Sequence, residues 1–163
     1  MSKVTRKADF NAEEWSKVVD GPLYAGMRVI SAERGGTLRE TVAMSRVYQE
    51  ARQRRGASDL LDELIKSPPS IDADRIREAG GDLAAVTVQH LRDAMAILES
   101  KATPAEVDDY KIFVMTVAQA AASAHKEGGF LGIGGTPISD AESHALDEIS
   151  GALGAPPAGA DGT

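Results

Sequence analysis

Apolar side chains recur at steps of three and four along most of this chain, between clusters of Gly, Pro, Ser, Thr and Asp, a pattern that predicts helices and no strand longer than a few residues. The longest run begins at Thr103. Thr103 and Glu106 have the spacing of a capping box, and Pro104 occupies the first helical position, where its missing N–H costs nothing. From Val107 the positions Tyr110, Val114, Val117, Ala121 and Ala124 fall on one stripe, while Ile112, Phe113 and Met115 carry apolar surface onto the flanks. Lys111 is the one formal charge between Tyr110 and His125. A helix apolar on nearly every side is a buried one, and the alanines at 118, 120, 121, 122 and 124 permit close approach of neighbours. The expected fold is all-α: a single-domain bundle of six to eight helices around a central helix at about 104–126.

The other elements follow from cap and stop signals. Residues 1–9 are polar and aperiodic and are expected to be disordered, with order starting at Phe10. Asn11 with Glu14 forms a capping box, and Phe10 and Trp15 stand where a hydrophobic staple needs them. Gly21 and Pro22 are expected to break or kink this first helix, with Leu23, Met27 and Ile30 on a second segment. Thr37 and Glu40 open a helix to Arg55 with Leu38, Val42, Met44, Val47, Tyr48 and Ala51 inward, and Gly56 ends it. Ser58 starts a short helix bearing Leu60, Leu61, Leu64 and Ile65 that Pro68 and Pro69 stop, and a two-turn helix follows from Asp72. Asp82 caps a helix to about Lys101 whose stripe is Leu83, Val86, His90, Leu91, Ala94 and Leu98. Ser139 and Glu142 start the last helix, with Leu146, Ile149 and Leu153 inward and Gly154 as its terminator; residues 155–163 are expected to form a disordered tail.

Composition narrows the function classes. Of 163 residues, 42% are hydrophobic but only 4% aromatic, so the core is built from Ala, Val, Leu, Ile and Met, as in interlocking helices. There is no cysteine, which removes disulfides, thiolate metal sites and a Cys nucleophile from consideration and fits a reducing compartment. No window approaches the ~20 uncharged apolar residues of a membrane span, so the expectation is a cytoplasmic protein. A net charge of −7 argues against general nucleic-acid affinity. The charge is unevenly placed: residues 1–55 hold 11 cations against 7 anions, and the rest hold 7 against 18. Two parts of one bundle that attract each other account for this asymmetry, the alternative being a basic docking face for an acidic partner.

Three candidate sites emerge. Gly128 to Thr136 is glycine-rich and precedes a helix start, so Gly134, Gly135 and Thr136 can offer amides and a hydroxyl to an anion, although the Lys of a phosphate loop is missing and no strand precedes. Within the same segment Phe130, Leu131 and Ile133 form either a flap tucked onto the bundle or an apolar docking loop. Asp140, His144 and Glu148 share one face of the last helix at i, i+4 and i+8, with His125 close across the loop, the spacing a metal ion would use; a solvated polar face explains the same row. No His stands in a context that pairs it with an activated Ser or an adjacent carboxylate, so no enzyme is expected, and His90 on its apolar stripe is expected to be a packed residue with one satisfied ring nitrogen.

The run Phe113, Val114, Met115, Thr116, Val117, Ala118, then glycines, then Ile138, Ser139, Asp140, Ala141 and Glu142, with Leu146, Ile149 and Leu153 beyond, is similar to the helix, glycine turn, Ile-Ser-x-x-Glu and helix signature of the TerB-like, tellurite-resistance-associated proteins. The resemblance covers about a third of the chain, residues 104–154. It implies an all-helical bacterial bundle tied to stress response and membrane-linked assemblies, acting through a protein partner. Some members of that family bind metal at the acidic helix turn. Here the compact Ala-Asp-Gly turn is replaced by Glu127 to Thr136 and its Asp has no counterpart, so that metal site does not carry over, and no cofactor is expected unless the Asp140 row takes an ion.

Overall fold

The computed structural model describes residues 5–32, 38–53, 58–66, 82–127 and 140–154. Among them are six α-helices, a short 3-10 turn at Lys7–Asp9 and no strand, so the fold is all-α. The helices are α1 (Ala12–Ala32), α2 (Leu38–Gln53), α3 (Asp59–Lys66), α4 (Leu83–Lys101), α5 (Pro104–Glu127) and α6 (Asp140–Leu153). The expected helix from Asp72 lies outside the described residues.

Several helix starts form as their sequences dictate. At α1 the Asn11 amide donates to Glu14 Oε2 (2.9 Å) and the Glu14 amide to Asn11 Oδ1 (2.8 Å), a reciprocal capping box. Phe10 and Trp15 close the staple with ring centroids 5.3 Å apart. At α5 the Thr103 amide donates to Glu106 Oε2 (3.0 Å) and the Glu106 amide to Thr103 Oγ1 (3.2 Å). Gly154 ends α6 at φ 71°, a conformation that any Cβ would strain. Asp82 departs from its expected role: it precedes α4 but makes no side-chain cap bond.

One core joins all six helices. Helices α1 and α5 pack against each other, α1 also meets α2, α4 and α6, and α5 touches every other helix. Tyr110, Val114, Val117, Ala118 and Ala122 of α5 are fully buried. The helix is not apolar all round, however. Asp108, Ile112, Thr116, Gln119 and Ser123 form an outward row, and Ile112 is 65% exposed. Val42 and Val86, expected inward, are also exposed, and Thr87 takes the buried place beside Val86.

Of the break or kink expected at Gly21 and Pro22, the break does not occur: α1 runs unbroken through both residues. A proline inside a helix deprives the carbonyl four residues earlier of its donor, which here is Val18. The Tyr110 hydroxyl supplies the missing donor, reaching the Val18 carbonyl at 2.8 Å from the neighbouring helix. Gly21 makes room for it, since a Cβ there would collide with that hydroxyl. Burial pushes the Tyr110 phenol well above its ordinary pKa, keeping it a donor.

Order also reaches further toward the N-terminus than expected. Thr5 is fully buried, its hydroxyl donates to Glu106 Oε2 and its amide lies 3.4 Å from Glu106 Oε1. Burial pushes the Glu106 carboxyl up, but the hydrogen bonds from Thr5 and Thr103 outweigh it and hold the group below the ordinary value. Among the described residues three ion pairs join residues 1–55 to the remainder: Lys17 to Asp93 (3.1 Å) and Arg28 to Glu148 (3.0 Å) set a cation of the first part against an anion of the second, and Lys101 to Glu14 (2.7 Å) runs the other way. The first two have the polarity of an internal charge complement, and the third does not.

Candidate functional site

The expected docking loop Phe130, Leu131 and Ile133, and the anion-binding Gly134, Gly135 and Thr136, lie outside the described residues. Of the expected metal row, Asp140 opens α6 exposed to solvent, while His144 Nε2 stands 3.1 Å from Glu148 Oε1. Glu148 Oε2 accepts from Arg28 Nε at 3.0 Å, so this carboxylate already has a cation beside it, whose charge opposes that of a metal ion. His125 is a residue of α5 whose side chain lies outside the description. Among the described residues no three His, Asp or Glu side chains gather in a way that would hold a metal ion.

His90 is where the apolar stripe of α4 meets α1. Its Nε2–H donates to the Lys17 carbonyl at 2.9 Å, and its ring lies over Tyr24 with centroids 4.3 Å apart. Burial lowers its pKa against the opposing influence of the Lys17 carbonyl, Asp20 and Asp93. The side chain is a neutral, packed imidazole with one nitrogen engaged.

An apolar concavity lies elsewhere, in a groove of about 310 Å³ where α2, α3 and α5 meet. Val47 and Ala51 of α2, Leu61 and Ile65 of α3, and Ile112 and Phe113 of α5 form its apolar lining. Phe113 is set by Tyr48, whose ring meets it edge-on at 5.2 Å. The Tyr48 hydroxyl is buried without a hydrogen-bond partner, and burial, assisted by the charge of Asp20, raises its pKa. Three carboxylates, Glu50, Asp62 and Asp109, stand among the lining side chains, together with Ser58 and Thr116 and, among the described residues, no Lys or Arg. Ser58 is spent on the α3 start, where its oxygen lies 3.4 Å from the Leu61 amide, and the Thr116 hydroxyl donates to the Ile112 carbonyl (2.7 Å). The apolar lining and the carboxylates are thus what the groove presents to solvent.

The sequence carried a sign of this groove. Ile112 is the one large apolar residue in the row 108, 112, 116, 119, 123, and an apolar member of a polar row is what an interaction surface adds to an ordinary amphipathic helix. Counting it as a flank of a buried helix hid that signal. The pairing of α2 with α3 across α5, which makes the concavity, is tertiary and has no local signature.

No helix among the described residues is long and apolar enough to cross a membrane. Comparison with protein-family models, curated proteins and solved structures yields no match to this chain.

Proposed function

We propose that this chain is a non-enzymatic, bacterial helical interaction domain, similar to TerB-like proteins over residues 104–154, that serves a cytoplasmic stress-associated assembly by docking a protein partner in the α2–α3–α5 groove. The observation that carries the reading is Ile112, 65% exposed at the edge of an apolar concavity that Val47, Leu61, Ile65 and Phe113 continue inward. Leaving such a side chain in water forgoes up to about 1.5–3 kcal/mol of burial, which a partner recovers by covering it. Apolar grooves between helices take the apolar face of a third helix by the same ridge-and-groove packing that builds bundles.

The test is photocrosslinking in the native cell from position 116, inside the groove, and from position 119, on the same exposed row but outside it. A discrete protein adduct from position 116 alone, lost in an Ile112→Ser background, is the expected result. Equal labelling from both positions, or an adduct indifferent to Ile112→Ser, would refute the groove as the docking site.

A further inference from the structure

Resting on the groove as a docking site, we infer that its occupant is a cationic amphipathic helix of another protein, one that seats an apolar side chain against Phe113 and Ile112 and sets Lys or Arg beside Glu50 and Asp109. The volume, about 310 Å³, lies at the bottom of the ~300–1,000 Å³ range of small-molecule pockets. It suits one or two apolar side chains better than a cofactor. Its walls come from three helices, α2, α3 and α5, which favours a helix over an extended strand as occupant, since no sheet edge is available among the described residues to pair with one.

The charge of the occupant follows from the lining. Glu50 comes from α2 and Asp109 from α5, so two walls of the groove each contribute a carboxylate, and among the described residues no Lys or Arg shares the lining. Neither Glu50 nor Asp109 takes part in an ion pair among the described residues, whereas Asp62 is already engaged and is not counted. An anionic helix would place like charges against both walls, at a cost in affinity and encounter rate. A second copy of this chain is the poorer occupant, because each copy carries −7 and their approach is repulsive overall.

The experiment uses the full chain and three synthetic 14-residue peptides: one with a Leu stripe flanked by Lys, the same stripe flanked by Glu, and a scrambled Leu/Lys peptide of equal composition without a stripe. Binding is followed by fluorescence anisotropy and by amide chemical shifts. The Leu/Lys stripe is expected to bind, to perturb amides of α2, α3 and α5 around the groove, and to weaken roughly tenfold between low and high salt. Glu50→Gln with Asp109→Asn is expected to reduce its affinity about fivefold, and Ile112→Ser by a similar factor, all with unchanged melting. Equal affinity for the Leu/Glu stripe, or for the scrambled peptide, overturns the cationic-helix inference while leaving a docking groove in place. Concentration-dependent dimerisation abolished by Ile112→Ser overturns it in favour of a second copy. If no peptide binds and position 116 gives no adduct in cells, the docking reading fails with it.

Discussion

Tyr110→Phe isolates the bond that lets α1 pass through Pro22. The substitution removes one oxygen from a fully buried side chain and leaves the Val18 carbonyl, itself buried, with neither the proline N–H nor the phenol as donor. Orphaning a buried carbonyl costs about 1–3 kcal/mol, and in a chain of this length each kcal/mol lowers Tm by about 2–4 °C, so a drop of about 2–12 °C is expected by calorimetry or circular dichroism. Tyr48→Phe is the internal control, because its hydroxyl is buried without a partner; its removal is expected to be neutral or stabilising by up to about 1 kcal/mol. The decisive measurement is a double-mutant cycle with Pro22→Ala. That change gives residue 22 an N–H four residues after Val18, so the carbonyl no longer depends on Tyr110, and the cost of Tyr110→Phe should shrink by about 1 kcal/mol or more. An undiminished cost in the Pro22→Ala background would refute the account. So would a Tyr48→Phe penalty as large as that of Tyr110→Phe.

Val114→Asp buries an unpaired carboxylate at a fully buried position and is expected to abolish cooperative unfolding or to destabilise by more than about 4 kcal/mol, as read by denaturant titration. Thr5→Val removes a donor to Glu106 and should cost about 1–3 kcal/mol. The Glu106 carboxyl is held below its ordinary 4.5, so its contribution is present above that pH and lost as pH falls through the lower folded value; Glu106→Gln should flatten this acid limb in melts across pH, and an unaltered limb would contradict it. His90 is held below its ordinary 6.5 by burial, so folding favours the neutral ring, and stability should decline as pH falls from 6.5 toward the lower folded value, a decline that His90→Gln removes.

What could be deduced from the sequence was mostly local. Asn11 with Glu14, Thr103 with Glu106, and Gly154 declare themselves because a cap involves neighbours three or four residues apart, and each forms in the structure as expected. The inward stripe of α6, Leu146, Ile149 and Leu153, was equally plain, and all three are buried. What escaped was everything decided by a residue far along the chain. Thr5 is ordered by Glu106, 101 positions away, and nothing in a polar N-terminal run announces that partner. Val42 and Val86 have the composition of core positions but face outward, because the packing of whole helices, and not the apolar character of one residue, fixes which side is covered. The groove belongs to the same class: each lining side chain was visible, but their meeting was not.

The bond between Tyr110 and Val18 also bears on the order in which the chain acquires structure. A peptide comprising α1 alone contains Gly21, Pro22 and an unserved carbonyl, and so has every reason to divide into two short segments. Continuity arrives only when α5 docks, from 92 residues away. During synthesis at about 5–20 residues per second, those 92 residues take roughly 5–20 s to follow Val18 out of the ribosome. For that interval the Val18 carbonyl lacks its donor, and the completion of α1 as one helix coincides with its packing on α5, a late event. Mutations at Tyr110 should then mainly speed unfolding and leave the folding rate little changed, the signature of a contact that completes the structure late.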